Sequence, residues 1–109
     1  MKLTWLGHAS FRLEIEQAVI LIDPWLSGNP VFPADRRDEA VRGATHILLT
    51  HGHGDHTGDA VALARELGAT VVGIADLIGC WSEAEGLDGI GFNKGGTVDL
   101  NGARVTMVN

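Results

Sequence analysis

The segment from Thr45 to Val72 constrains the chain more than any other. An apolar run, Thr45 to Thr50 with Ile47-Leu48-Leu49 at its centre, leads straight into His51-Gly52-His53-Gly54-Asp55-His56. Asp59 to Leu67 then sets Ala60, Val61, Leu63, Ala64 and Leu67 at helical spacing, and Gly68 stands where a helix C-cap glycine belongs. Ala69-Thr70-Val71-Val72 begins a second apolar run. Strand, polar loop, helix and strand in that order form a βαβ crossover, which predicts two parallel strands. The polar cluster then falls at the C-terminal end of a buried strand, where open α/β sheets hold ligands.

The flanking sequence extends the sheet. Leu3 to Leu6 is a short apolar strand broken by Gly7. From Ser10 to Glu16, Phe11, Leu13 and Ile15 alternate with Arg12, Glu14 and Glu16, the period-two pattern of a half-buried strand. Val19 to Ile22 is continuously apolar, as in a strand covered on both faces, and Asp23-Pro24 ends it. Residues 24–43 hold all 3 prolines and a charged run from Asp35 to Glu39, which predicts a long loop with one short helical turn. Leu77 to Glu85 reads as a second helix. Ile90–Phe92, Thr97–Leu100 and Arg104–Val108 read as strands, with Asn101-Gly102 as a two-residue hairpin turn. The expected class is α/β, a sheet covered by helices, in one domain over residues 1–109.

Composition narrows the function. The net charge of −6 and a pI near 5.1 argue against a nucleic-acid-binding surface, which is usually basic. No window holds the roughly 18 apolar residues of a membrane span, and the start at Met1 lacks a signal peptide's cationic and apolar regions. Cys80 is the only cysteine, so no intrachain disulfide can form, which suits a reducing compartment. These features together predict a cytoplasmic protein.

Neutral imidazole and carboxylate bind zinc and similar divalent ions; manganese and iron accept the same donors. Here 3 histidines and an aspartate fall within six residues, and Gly52 and Gly54 between them free the backbone to turn several side chains toward one point. His53, Asp55 and His56 cannot all face one way on a straight strand or helix; on a loop they can divide between two adjacent ions. A turn that is histidine-rich by chance is the dull alternative, and this grouping argues against it. Elsewhere the dull explanations prevail. His46, five residues ahead of His51, reads as packing. Cys80 in Leu77-Ile78-Gly79-Cys80-Trp81 reads as a small packed side chain. Trp5, Trp25 and Trp81 read as packing, with Trp25 also a candidate for the mouth of a site.

His51-x-His53-x-Asp55-His56 resembles the signature of the metallo-β-lactamase superfamily. Gly7-His8-Ala9-Ser10, Ile22-Asp23-Pro24, Ser27-Gly28-Asn29-Pro30, Thr50 to Asp59 and Asn93-Lys94-Gly95-Gly96-Thr97 extend the likeness to one branch. That branch comprises metal-dependent hydrolases related to L-ascorbate-6-phosphate lactonase and, more distantly, to N-acylphosphatidylethanolamine phospholipase D. The resemblance implies the N-terminal half of a four-layer αββα sandwich. It assigns His51 and His53 to one metal and Asp55 and His56 to a second. Asp23 would hydrogen-bond a ligand histidine, His8 would lie near the metals and bind substrate or shuttle protons, and Asp55 would orient the nucleophile and help protonate the leaving group. The family's remaining ligands, two histidines and a bridging aspartate, come from a second half, the first of them just beyond a strand like Val105–Val108.

The resulting expectation is a hydrolase of a small-molecule ester, lactone, amide or phosphodiester, using up to two divalent ions, zinc foremost, and weak or inactive without the second half. A non-catalytic metal-binding half-domain that pairs as a homodimer is the competing expectation. In both, an exposed sheet face needs a partner layer, from the C-terminal half or from a second copy.

Overall fold

A computed structural model describes all 109 residues. Six strands form one sheet in sequence order: β1 (Lys2–Gly7), β2 (Ser10–Ile15), β3 (Ala18–Ile22), β4 (His46–Leu48), β5 (Thr70–Ile74) and β6 (Gly89–Phe92). β1, β2 and β3 are antiparallel neighbours. β3, β4, β5 and β6 run parallel, as the crossover predicted. Two reversals make β1 parallel to β3, so the C-terminal ends of β1, β3 and β4 share one edge of the sheet. Gly7-His8, Asp23 and Thr50-His51 leave the sheet there, which is the topological reason that residues far apart in sequence meet.

A 3₁₀ turn (Ala34–Arg36) leads into helix α1 (Arg37–Val41), so the proline-rich loop carries slightly more helix than expected. The histidine segment is not wholly loop: Gly54–Thr57 forms one helical turn, α2. α3 (Ala60–Leu67) buries Ala60, Leu63 and Ala64, an i, i+3, i+4 stripe, and ends on Gly68 at φ +65°. α4 spans Ala75–Glu85. The last strands, β7 (Thr97–Leu100) and β8 (Ala103–Thr106), form a separate hairpin instead of extending the main sheet. Asn101 and Gly102 turn it with φ of +53° and +95°.

The sheet is apolar on both faces. Arg12, Leu21, Ile47 and Val71 occupy one cross-strand row on the helical face. Leu21, Ile47 and Val71 there join Leu63, Ala64, Ala40 and Ile78 in the main core. The approach of α4 is close enough to need glycine in β6: a Cβ on Gly91 would lie 2.9 Å from Ala75 Cα. Trp5, Phe11, Ile22, Leu48, Val72 and Ile90 form a row across all six strands on the opposite face. The β7–β8 hairpin covers part of that face, burying Leu100 and Ala103 against Ala18, Ile20 and Val72. Trp5 remains 59% exposed, and Phe11, Ile22, Leu48 and Ile90 are only half-buried. No helix is long and apolar enough to cross a membrane.

His46 lies on this second face, buried, with Nδ1 2.8 Å from Thr45 Oγ1. Burial lowers its pKa from the ordinary 6.5. The unfolded chain therefore takes up the proton first as pH falls. The stability held by neutral His46 is complete above pH 6.5 and is lost progressively below it. Urea unfolding midpoints should fall on acidification from neutrality, and fall less in His46→Gln.

Candidate metal centre

The turn after β1 is strained toward the site. The β1–β2 register shifts between Trp5 and Gly7, and His8 follows with φ +53°. The Trp5 indole Nε1 donates to the His8 carbonyl at 2.9 Å and holds this turn. Asp23, at the end of β3, has φ +46°. Two non-glycine residues in left-handed conformations at one sheet edge are local strain of the kind that collects at functional sites.

Asp23 is the buried centre of the arrangement, at 3% exposure. Its Oδ1 accepts the Thr50 N–H at 2.8 Å. Its Oδ2 accepts the Thr50 hydroxyl at 2.6 Å and stands 2.9 Å from His56 Nδ1. With Nδ1–H donated to this carboxylate, the lone pair of His56 is on Nε2. That atom lies 3.8 Å from Asp55 Oδ1. The other Asp55 oxygen, Oδ2, is 2.9 Å from His8 Nε2. Hydrogen bonding to His8 is the largest cause holding the Asp55 carboxyl below its usual range.

Two overlapping donor groups result. One atom each from His8, Asp55 and His56 lie within 4.8 Å of one another, as do one atom each from Asp23, His51 and His56. His56 belongs to both. Its ring centroid is 4.0 Å from that of His51 and 5.5 Å from that of His8. His53 packs edge-on against His51 at 4.7 Å but enters neither group. The structure thus gathers His8, Asp23, His51, Asp55 and His56, and sets His53 beside them.

The donors fit a divalent ion. Two atoms about 2.0–2.1 Å from a tetrahedral zinc lie roughly 3.4 Å apart, near the observed separation of His56 Nε2 and Asp55 Oδ1. Asp23 already accepts three hydrogen bonds, which suits orienting a ligand better than binding the ion. The nitrogen and carboxylate set admits zinc, manganese or iron.

Two supporting residues, Asp59 and Thr50, escaped the sequence reading as such, and a third, Trp25, was read there as packing or as a candidate for the mouth of a site. Asp59, at the start of α3, turns its side chain away from the helix. Its Oδ2 accepts the backbone N–H groups of Leu26, at 2.5 Å, and Ser27, at 2.8 Å, pinning the proline-rich loop against the site. Trp25 on that loop stands edge-on to His8 at 5.3 Å. Thr50 bridges Asp23 and His51. Thr50 stands beside the cluster and Trp25 on the proline-rich loop, but the contacts themselves join residues with no shared local pattern. A cleft of about 740 Å³ lies between β1–β2 and residues 31–42, and no histidine lines it.

Comparison with known proteins agrees with this geometry. Residues 3–106 match the family described as the metallo-beta-lactamase superfamily. A metal-dependent hydrolase of Paracoccus denitrificans (strain Pd 1222) is 77% identical over 109 residues, all of this chain and 47% of the relative. One of Ruegeria sp. (strain TM1040) is 55% identical over 99% of this chain and 47% of its own length. The chain spans about half the length of the curated relatives it matches. Among solved structures, the metallo hydrolase Igni18 of Ignicoccus hospitalis KIN4/I superposes with a TM-score of 0.79 at 33% identity, over 91% of this chain and 42% of that one. The diiron β-hydroxylase CmlA of Streptomyces venezuelae shares the fold at a TM-score of 0.67 and 24% identity, over 89% of this chain and 21% of that one. The N-terminal layers of sheet and helix, the donors gathered at one sheet edge and the match across nearly the whole chain lead to one conclusion: the chain belongs to the metallo-β-lactamase superfamily.

Proposed function

We propose that this chain is the metal-carrying half of a divalent-metal-dependent hydrolase acting on a small-molecule ester, lactone or phosphodiester. The observation that carries the reading is the place of His56, tied through Nδ1 to the buried Asp23 and shared by two donor groups, one with His8 and Asp55 and one with Asp23 and His51. The relatives' names as metal-dependent hydrolases support it.

His51 and His53, packed edge-on at 4.7 Å, would hold one ion, and Asp55 and His56 a second, with His8 beside Asp55. A divalent ion in such a site acidifies water toward neutral pH and polarises a carbonyl or phosphoryl oxygen. Asp23 keeps the ligand rings oriented. Asp55, hydrogen-bonded to His8, orients the attacking group, and the His8–Asp55 pair carries a proton to the leaving group. Trp25 shields one side of His8. Zinc is the first choice of metal, and manganese or iron would suit the same donors.

The partly covered sheet face favours a partner layer, either the remaining half of a longer protein or a second copy of this chain. The row from Trp5 to Ile90 is apolar across its full width, and exposed apolar area of this kind is costly. A symmetric pair that binds metal without catalysis is the second reading.

The test joins this chain to the C-terminal half of the Paracoccus relative and compares it with the chain alone. Both should retain zinc or manganese after desalting, and only the joined protein should hydrolyse lactone, ester or phosphodiester probes at substantial rates. Metal retention without turnover by the joined protein would favour the binding module. A stable, well-folded monomer of the chain alone in sedimentation would count against a required partner layer.

A further inference from the structure

We infer that Thr50 is a positioning residue that extends the hold of Asp23 to His51, so that one buried carboxylate fixes the tautomers of two metal ligands. The inference rests on His51 serving as a ligand in the function proposed above.

The available protons fix the direction of each bond. The Thr50 hydroxyl carries one hydrogen, and it goes to Asp23 Oδ2 at 2.6 Å, because a carboxylate accepts. The same hydroxyl oxygen lies 2.9 Å from His51 Nδ1. With its proton committed, the oxygen can only accept there, so His51 Nδ1 must be the donor. His51 is thereby held with its proton on Nδ1 and its lone pair on Nε2. A free histidine side chain in water favours the opposite tautomer, with the proton on Nε2, where it blocks that nitrogen from a metal. The Thr50 N–H bond to Asp23 Oδ1 at 2.8 Å holds the backbone of Thr50 against the same carboxylate that takes its hydroxyl proton. His56 needs no such bridge, since its Nδ1 meets Asp23 directly at 2.9 Å.

The arrangement resembles the partners that commonly orient metal-bound histidines, with a hydroxyl inserted between carboxylate and ring. Valine at position 50 would keep the shape and the backbone N–H bond while deleting the hydroxyl. Serine would keep the hydroxyl.

The experiment reads ring tautomers by long-range ¹H–¹⁵N NMR on the metal-free 109-residue chain at about pH 8, where imidazole is neutral. The wild-type protein should show His51 protonated on Nδ1. Thr50→Val should move His51 toward protonation on Nε2 and leave the His56 tautomer as it was. Thr50→Ser should restore the wild-type pattern. Zinc affinity, measured by chelator competition, should fall roughly ten-fold in Thr50→Val and recover in Thr50→Ser. Wild-type His51 protonated on Nε2 would overturn the inference, and that reading needs no variant to fold. A Thr50→Val protein with an unchanged His51 tautomer would also overturn it. If the tautomers behave as stated but no form binds zinc, the metal-site proposal fails while the Thr50 relay stands.

Discussion

Replacing His56 by alanine is expected to lower zinc affinity by at least about 100-fold. Loss of a residue that only orients a ligand costs roughly 10- to 100-fold, and His56 is more than that. It is the one side chain common to both donor groups. Its Nε2 faces Asp55 Oδ1, its ring lies against His51, and its Nδ1 is tied to Asp23. Removing it leaves His51 and Asp55 with no shared neighbour to complete a site. The fold should survive, because His56 lies on the one-turn helix α2, which buries no residue. Chelator competition reads the affinity, and a cooperative denaturation curve for the metal-free protein, shifted by no more than the lost His56–Asp23 hydrogen bond, separates lost binding from lost structure. Retained nanomolar-range binding in His56→Ala would place the ion elsewhere. His46→Gln is the matched control: His46 is also a histidine of this half, but it is buried on the far face with Thr45 as partner, and its loss should leave zinc affinity unchanged.

Asp23→Ala should have the broadest effect of any single change. The carboxylate is buried and accepts from the Thr50 N–H, the Thr50 hydroxyl and His56 Nδ1. Truncation strands three part-buried donors, each costing toward the lower end of the roughly 1–3 kcal/mol of a buried unpaired donor. It also places alanine at φ +46°, where a Cβ without a compensating side-chain hydrogen bond is unfavourable. A stability loss of roughly 3 kcal/mol follows, a large part of the 5–15 kcal/mol typical of a domain. Zinc affinity should fall by roughly 10- to 100-fold in the molecules that remain folded. Asp23→Asn tolerates the left-handed backbone better, so it should recover part of the stability but not the metal affinity. Its amide cannot accept from all three donors in place of the carboxylate. Equal recovery of both by asparagine would show that the charge and acceptor capacity of Asp23 are immaterial.

Much of the sheet was legible because its signals are local. The alternation from Phe11 to Ile15, the apolar run ending at Ile22 and the glycine after Leu67 each state their own structure, and the observed β2, β3 and α3 follow them closely. Asn101-Gly102 fixed the hairpin, since both residues accept positive φ. The placement of that hairpin was not legible. Val98, Leu100, Ala103 and Val105 alternate as any half-buried strands would, and only packing decides whether they extend the sheet or fold over its face. The end of the last strand was overestimated for the same reason: Met107 and Val108 are apolar, yet β8 stops at Thr106.

At the site, residue types were readable and their connections were not. The histidine spacing named the metal donors, but not that Gly54 to Thr57 coil into a helical turn, which decides which side chains face Asp23. Nothing local ties Asp59 to the N–H groups of Leu26 and Ser27, 33 and 32 residues earlier. The roles of Trp5 and Trp25 as supports for His8 also depend on the β1 turn and the loop meeting at one edge.

Zinc K-edge X-ray absorption on tag-free protein loaded with one equivalent of zinc tests the metal centre most directly, beside the same measurement on His56→Ala. The account predicts at least two imidazole ligands with nitrogen and oxygen scatterers at about 2.0–2.1 Å, and one imidazole fewer in the variant. A shell of oxygen alone, or an imidazole count that His56→Ala leaves unchanged, would contradict it.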